Sequence, residues 1–152
     1  MSLNQPVVDG MTILIAEDDP DDRLIIERAF QEIGFAGKFV FVENGEQLVG
    51  FLSVQTRKTV PAENGYPACI LLDLNMPLMD GKQAIFQIRR CLNLNDIPVI
   101  VLTTSDSKND KEYCMKFGVS AFITKPASVK ELAAELAGIE SIGRLAAFQF
   151  GK

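Results

Sequence analysis

Asp73 stands where an apolar run, Cys69-Ile70-Leu71-Leu72, gives way to a turn-rich one, Asn75-Met76-Pro77-Leu78-Met79-Asp80-Gly81. A carboxylate at the mouth of a buried strand is placed to act as a nucleophile. Three further apolar runs end in reactive groups: Ile13-Leu14-Ile15-Ala16 in Glu17-Asp18-Asp19, Val99-Ile100-Val101-Leu102 in Thr103-Thr104, and Ala121-Phe122-Ile123-Thr124 in Lys125-Pro126. If these runs lie parallel in one sheet, acids, hydroxyl and ammonium meet at a single edge. Crowding Glu17, Asp18 and Asp73 there is unfavourable without a cation, and hard oxygen donors select Mg2+ over softer metals. With Lys125 as a compact positive charge and Thr103 as a hydroxyl donor, such a site can accept a phosphoryl group as an acyl phosphate. Its work would be charge neutralisation and alignment.

The elements that must position these groups follow from the pattern around them. Thr12 to Ala16 reads as a strand buried on both faces. Asp19 caps a helix whose first turn carries Pro20, Asp21 and Asp22, whose apolar stripe is Ile26, Ala29, Phe30 and Ile33, and which Gly34 ends. Lys38 to Val42 is a second strand, and Asn44 caps a helix to about Gln55 with Leu48, Phe51 and Leu52 inward. Arg57 to Pro67 reads as a long loop. Ala68 to Leu72, Val99 to Leu102 and Ala121 to Thr124 are the remaining strands. Helices over Lys82 to Cys91 and Lys108 to Phe117 alternate with them, and a last helix, capped by Ser128, carries Val129, Leu132, Ala133 and Leu136 inward. Five β-then-α units imply a parallel sheet covered on both faces through right-handed crossovers. Binding sites in such sheets lie beyond the carboxyl ends of the strands.

A chain of 152 residues, 47% hydrophobic and 23% charged, fits one domain with a substantial core. We divide it into a leader over 1–10, the main domain over 11–138 and an apolar extension over 139–152. The net charge of -5 argues against general affinity for nucleic acid, and Arg89-Arg90 reads as a solvated helix face. Three cysteines, Cys69, Cys91 and Cys114, lack metal-ligand or redox spacing and read as reduced and mostly buried. With no signal peptide and no bilayer-length apolar run, a cytoplasmic location without membrane attachment is expected. The chain has no histidine, so it supplies no His base, His ligand or phosphohistidine of its own. In the extension, Ile142, Leu145, Ala146, Phe148 and Phe150 are too apolar for a free tail and are expected to pack on the domain or across a homodimer interface.

The residues from about Met11 to Leu136 resemble the receiver domain of two-component response regulators. Leu71-Leu72-Asp73-Leu74-Asn75-Met76-Pro77 through Asp80-Gly81 is similar to that family's phosphoacceptor loop, and Ile123-Thr124-Lys125-Pro126 to its Lys-Pro turn. The Glu17-Asp18-Asp19-Pro20 and Leu102-Thr103-Thr104-Ser105 stretches most resemble single-domain receivers found beside phytochrome-type histidine kinases. The resemblance implies a flavodoxin-like (βα)5 fold with strand order 2-1-3-4-5. It further implies Asp73 as the residue phosphorylated by a partner histidine kinase, and Mg2+ held by Asp18, Asp73 and the Asn75 carbonyl, with Glu17 acting on the metal mainly through water. Thr103 and Lys125 would bind phosphoryl oxygens, and Phe122 would change rotamer on activation. Signalling would run through the face of the fourth helix, fifth strand and fifth helix to a downstream protein. Glu17 stands where Asp is more usual, and Thr104 is bulkier than the family's small residue.

Each motif has a bland counterpart: Asp18-Asp19-Pro20 alone is a helix cap, Lys125-Pro126 a turn, and Phe122, Tyr113 and Phe117 core aromatics. Two other functions fit the same residues. An aspartyl-nucleophile phosphatase would favour a second acid where Asn75 stands, and a receiver-like binding module acting without phosphorylation would have lost an acid, Thr or Lys. None is lost. A signalling phosphoacceptor rather than a true enzyme is the expected function.

Overall fold

The computed structural model describes residues 11–56, 67–125 and 128–142. Strands β1 (Thr12–Ala16), β2 (Lys38–Val42), β3 (Cys69–Leu72), β4 (Val99–Thr103) and β5 (Ala121–Thr124) pair in parallel in the order β2-β1-β3-β4-β5. Helices α1 (Pro20–Glu32), α2 (Gly45–Thr56), α3 (Gly81–Phe86), α4 (Lys108–Lys116) and α5 (Val129–Ala137) alternate with them. The expected (βα)5 architecture and its strand order are both present.

Because successive strand side chains point to opposite faces, each apolar run feeds two cores. Ile13, Ile15, Leu71, Ile100 and Ile123 face α1 and α5, packing on Ile26, Ala29, Phe30, Leu132, Ala133 and Leu136. Leu14, Ala16, Ile70, Leu72, Val99 and Val101 face the other way, onto Leu48, Leu52, Ala84, Ile85, Ile88 and Cys114. Truncating one of the fully buried Leu or Ile side chains to Ala costs about 2–5 kcal/mol. The helix caps follow the sequence: the side chains of Asp19, Asn44, Asp80, Ser107 and Ser128 each accept a backbone N–H from the first turn they precede. Gly34, at φ 98, ends α1 in the left-handed region that a glycine adopts freely.

Three expectations are corrected. The helix expected over Lys82 to Cys91 is α only to Phe86, and Gln87–Cys91 is π-helical. Arg89 is the physical reason: far from lying on a solvated face, it is 5% exposed. Its guanidinium donates to the carbonyls of Phe117, Leu94, Ile97 and Gly118. Cys91, at the end of that segment, is exposed, whereas Cys69 and Cys114 are buried. The leader over 1–10, most of the long loop (57–66), Pro126, and Leu145, Ala146, Phe148 and Phe150 of the extension lie outside the described residues. Of that extension Ile142 is described, and it is buried against the α1 and α5 side of its own domain.

Candidate functional site

The backbone carries each reactive residue just past its strand. Glu17 N–H donates to Val42 O at 3.0 Å, Asp73 N–H to Ala16 O at 3.3 Å and Lys125 N–H to Thr103 O at 2.7 Å, so the sheet ladder continues one step into the site. Glu17, Asp73 and Thr103 are all buried, at 2%, 7% and 0% exposure. The Asp73 loop turns back tightly: Gly81 N–H donates to Leu74 O, and a Cβ on Gly81 would come within 2.6 Å of Asp73 O. Only glycine fits there. Within that loop Leu78, at φ 66, takes the left-handed conformation and leaves its side chain 75% exposed.

The Lys125 ammonium is the centre of the cluster. It donates to Glu17 Oε1 at 2.7 Å, Asp22 Oδ2 at 2.8 Å and Asp73 Oδ2 at 3.0 Å. An ammonium has three N–H donors, and here each finds a carboxylate. The other oxygens are also engaged: Asp73 Oδ1 accepts from Asn75 N–H at 2.9 Å and Glu17 Oε2 from Asp19 N–H at 3.2 Å. Burial raises the Glu17 pKa above the ordinary carboxylate value, opposed by the hydrogen bond and charge of Lys125. Burial by itself would lower the Lys125 pKa, but the hydrogen bonds to Asp22, Glu17 and Asp73 outweigh it and raise the pKa well above its ordinary value. The ammonium therefore stays charged at neutral pH.

Of the predicted residues, Glu17, Asp73 and Lys125 meet directly. Thr103 joins them through the backbone bond to Lys125, while its own hydroxyl oxygen accepts from Ser105 N–H at 3.3 Å. Asp18 is exposed beside Glu17, and Asn75 lies at the rim. Phe122 is partly buried against the α2, α3 and α4 side of the core. Among the described residues no three acidic or thiol side chains are already gathered at a metal-sized point. The donors nevertheless suit a hard cation: Glu17, Asp18, Asp73 and the Asn75 carbonyl offer only oxygen, and two of these acids are already held by a positive charge.

The pattern of the receiver family matches residues 13–137 of this chain. The chain belongs to the response regulator receiver family. Its relatives include the probable methanogenesis regulatory protein FilR2 of Methanothrix harundinacea, 33% identical over 82% of this chain and 77% of FilR2. Response regulator Rcp1 of Synechocystis is 32% identical over 85% of this chain and 86% of Rcp1. The Mn(2+)-bound crystal form of Rcp1 superposes with a TM-score of 0.69, covering 86% of this chain and 92% of that one. The phosphorylated cyanobacterial phytochrome response regulator RcpA gives a TM-score of 0.70 at 31% identity, covering 86% of this chain and 91% of RcpA. The likeness to phytochrome-associated receivers expected from the motifs is thus present.

This receiver contains site residues that motif reading missed. Asp22 looked like a helix-dipole acid in the first turn of α1, yet its carboxylate reaches Lys125. Asn75 Nδ2 donates to Thr104 Oγ1 at 3.1 Å, joining the Asp73 loop to the end of β4. Behind them Ser105 Oγ donates to Asp110 Oδ2 at 2.6 Å, and Lys82 Nζ to Asp110 Oδ1 at 2.9 Å. The signal available in sequence for Asp22 was its place at a helix N-terminus, which in this topology opens onto the same sheet edge as Asp73.

Proposed function

We propose that this receiver acts as a response regulator, taking a phosphoryl group onto Asp73 from the phosphohistidine of a partner histidine kinase. The observation that carries this reading is the Lys125 ammonium, 3.0 Å from Asp73 Oδ2 and already shared with Glu17 and Asp22. An Asp73 oxygen attacks phosphorus, the P–N bond breaks, and the electron pair leaves with the imidazole of the partner. The partner must bring that imidazole because this chain has no histidine. Lys125 then pairs with a phosphoryl oxygen in place of the carboxylate, and Thr103 donates its hydroxyl to another. Glu17, Asp18, Asp73 and the Asn75 carbonyl would hold Mg2+, which when bound neutralises charge on the phosphoryl oxygens.

The kinase is read as phytochrome-type, on the likeness to RcpA. The response to phosphate would spread from Thr103 through the hydrogen bond to Ser105 and on to Asp110 at the start of α4. With Phe122 changing rotamer, this biases the α4, β5 and α5 face that a downstream protein reads in the cytoplasm. Self-association through the segment after Ile142 is part of the same proposal. Because Ile142 is itself 1% exposed within its own domain, truncation belongs after it rather than before. Light scattering of chains ending at Ile142 should show loss of dimer with phosphorylation intact.

The test of function is label transfer from a kinase domain carrying phosphohistidine. Stoichiometric label on this protein, decaying without turnover of unrelated phosphate esters, is the expected result. Rapid release of phosphate from such esters would support the phosphatase reading, and no label from any donor the unphosphorylated binding module.

A further inference from the structure

We propose that Asp22 is a positioning residue for Lys125, a fourth acid of the site that keeps the ammonium in place when Glu17 and Asp73 turn to a metal ion and a phosphoryl group. The inference rests on the reading of Asp73 as phosphoacceptor and of Glu17 and Asp18 as metal-holding acids.

The geometry shows why a fourth acid is needed. Lys125 spends its N–H donors on Glu17, Asp22 and Asp73, and its side chain is 9% exposed, so losing partners would leave a desolvated charge unpaired. Two of those partners, Glu17 and Asp73, are also the acids that a cation would claim. Asp22 differs from them in origin and in surroundings. It sits on α1 rather than at a strand end, and its side chain is 31% exposed against 2% for Glu17 and 10% for Asp73. The N-cap Asp19 accepts the Asp22 N–H at 3.3 Å, which fixes the backbone from which the carboxylate reaches inward. Asp22 therefore offers the ammonium a partner that neither cation nor phosphoryl group competes for. With Asp22 removed, Lys125 has only Glu17 and Asp73, and must hold them against an incoming ion.

The neighbouring Asp21 supplies the control. It carries the same charge in the same first turn, its N–H also bonds Asp19, and it is exposed rather than on Lys125. Mg2+ affinity is measured by titration for the full chain and for Asp22→Asn, Asp21→Asn and Asp22→Glu. We expect Asp22→Asn to weaken binding about three- to tenfold, Asp21→Asn by less than about twofold, and Asp22→Glu to restore most of the loss. In parallel, the 15N signal of the Lys125 ammonium is followed without metal. It should persist in the parent and in Asp21→Asn and be lost to exchange in Asp22→Asn. Equal weakening of Mg2+ binding by both Asn variants, or an unchanged ammonium signal in Asp22→Asn, overturns the proposal. If the parent binds no Mg2+ at all, the metal-holding reading fails instead, and the ammonium signal still decides whether Asp22 positions Lys125.

Discussion

Arg89 and Lys125 are both cations drawn into this fold, one at each edge of the sheet, and they are neutralised in opposite ways. Arg89 lies where chain segments enter β4 and β5, and gives its guanidinium to the backbone carbonyls of Leu94, Ile97, Phe117 and Gly118. Those acceptors are fixed by the fold. Lys125 lies at the carboxyl edge and gives its ammonium to the side chains of Glu17, Asp22 and Asp73, of which Glu17 and Asp73 are the acids that the proposed function assigns to a cation and a phosphoryl group. On the proposed function, the difference separates a structural cation from a functional one. A charge tied to carbonyls organises the chain, whereas a charge shared among carboxylates can change partners without unfolding it.

The largest effect that would break this comparison is expected at Arg89. Arg89→Met leaves four carbonyls without their donor, and should cost about 3–5 kcal/mol in urea unfolding. The folded fraction should still accept phosphate, and loss of phosphorylation at full stability would erase the distinction. Lys125→Ala should do the reverse. Binding of fluoroberyllate, an acyl-phosphate mimic, should fall by more than about tenfold. Mg2+ affinity should rise, because a like charge has left, and stability should drop by less than in Arg89→Met. Asp18→Ala sharpens the same edge: it removes a charged oxygen donor from beside Glu17, so Mg2+ binding by titration should weaken about tenfold.

The smallest effect belongs to a partly exposed pair that serves as reference. Hydrogen bonds from Ser105 and then Lys82 hold the Asp110 carboxyl below its ordinary value of 3.8. A depressed carboxylate stabilises the fold above that pH, and the contribution is lost as pH falls through the folded value. Since Lys82 and Asp110 are 39% and 24% exposed, the contribution should stay below about 1 kcal/mol. Melting curves of the parent and Asp110→Asn should therefore converge in acid and differ slightly at neutral pH.

The two cations also mark what could be read from sequence. Strand ends, helix caps and the alternation of β with α are local patterns, and Asp73, Glu17, Thr103 and Lys125 were found because each closes an apolar run. Lys125 was legible as a charge, but its third partner was not: Asp22 lies 103 residues away, and its position in a first helical turn has a sufficient local explanation. Arg89 was misread for a similar reason. Next to Arg90 it looks like part of a charged face, and its acceptors are backbone carbonyls, which carry no sequence signature. The π-helical turn at Gln87–Cys91 was hidden with it, since it depends on tertiary partners rather than on periodicity.

The central claim, that the carboxylate beside Lys125 is the phosphoacceptor, is tested most directly by locating the acyl phosphate. After phosphorylation with Mg2+, borohydride reduction converts the modified residue to homoserine, which peptide mass spectrometry places in the chain. The account predicts homoserine at Asp73 alone, and no phosphoryl uptake by a folded Asp73→Asn variant, whose amide is nearly isosteric but not nucleophilic. Stoichiometric uptake by that variant, or reduction at any other carboxylate in the parent, would contradict it.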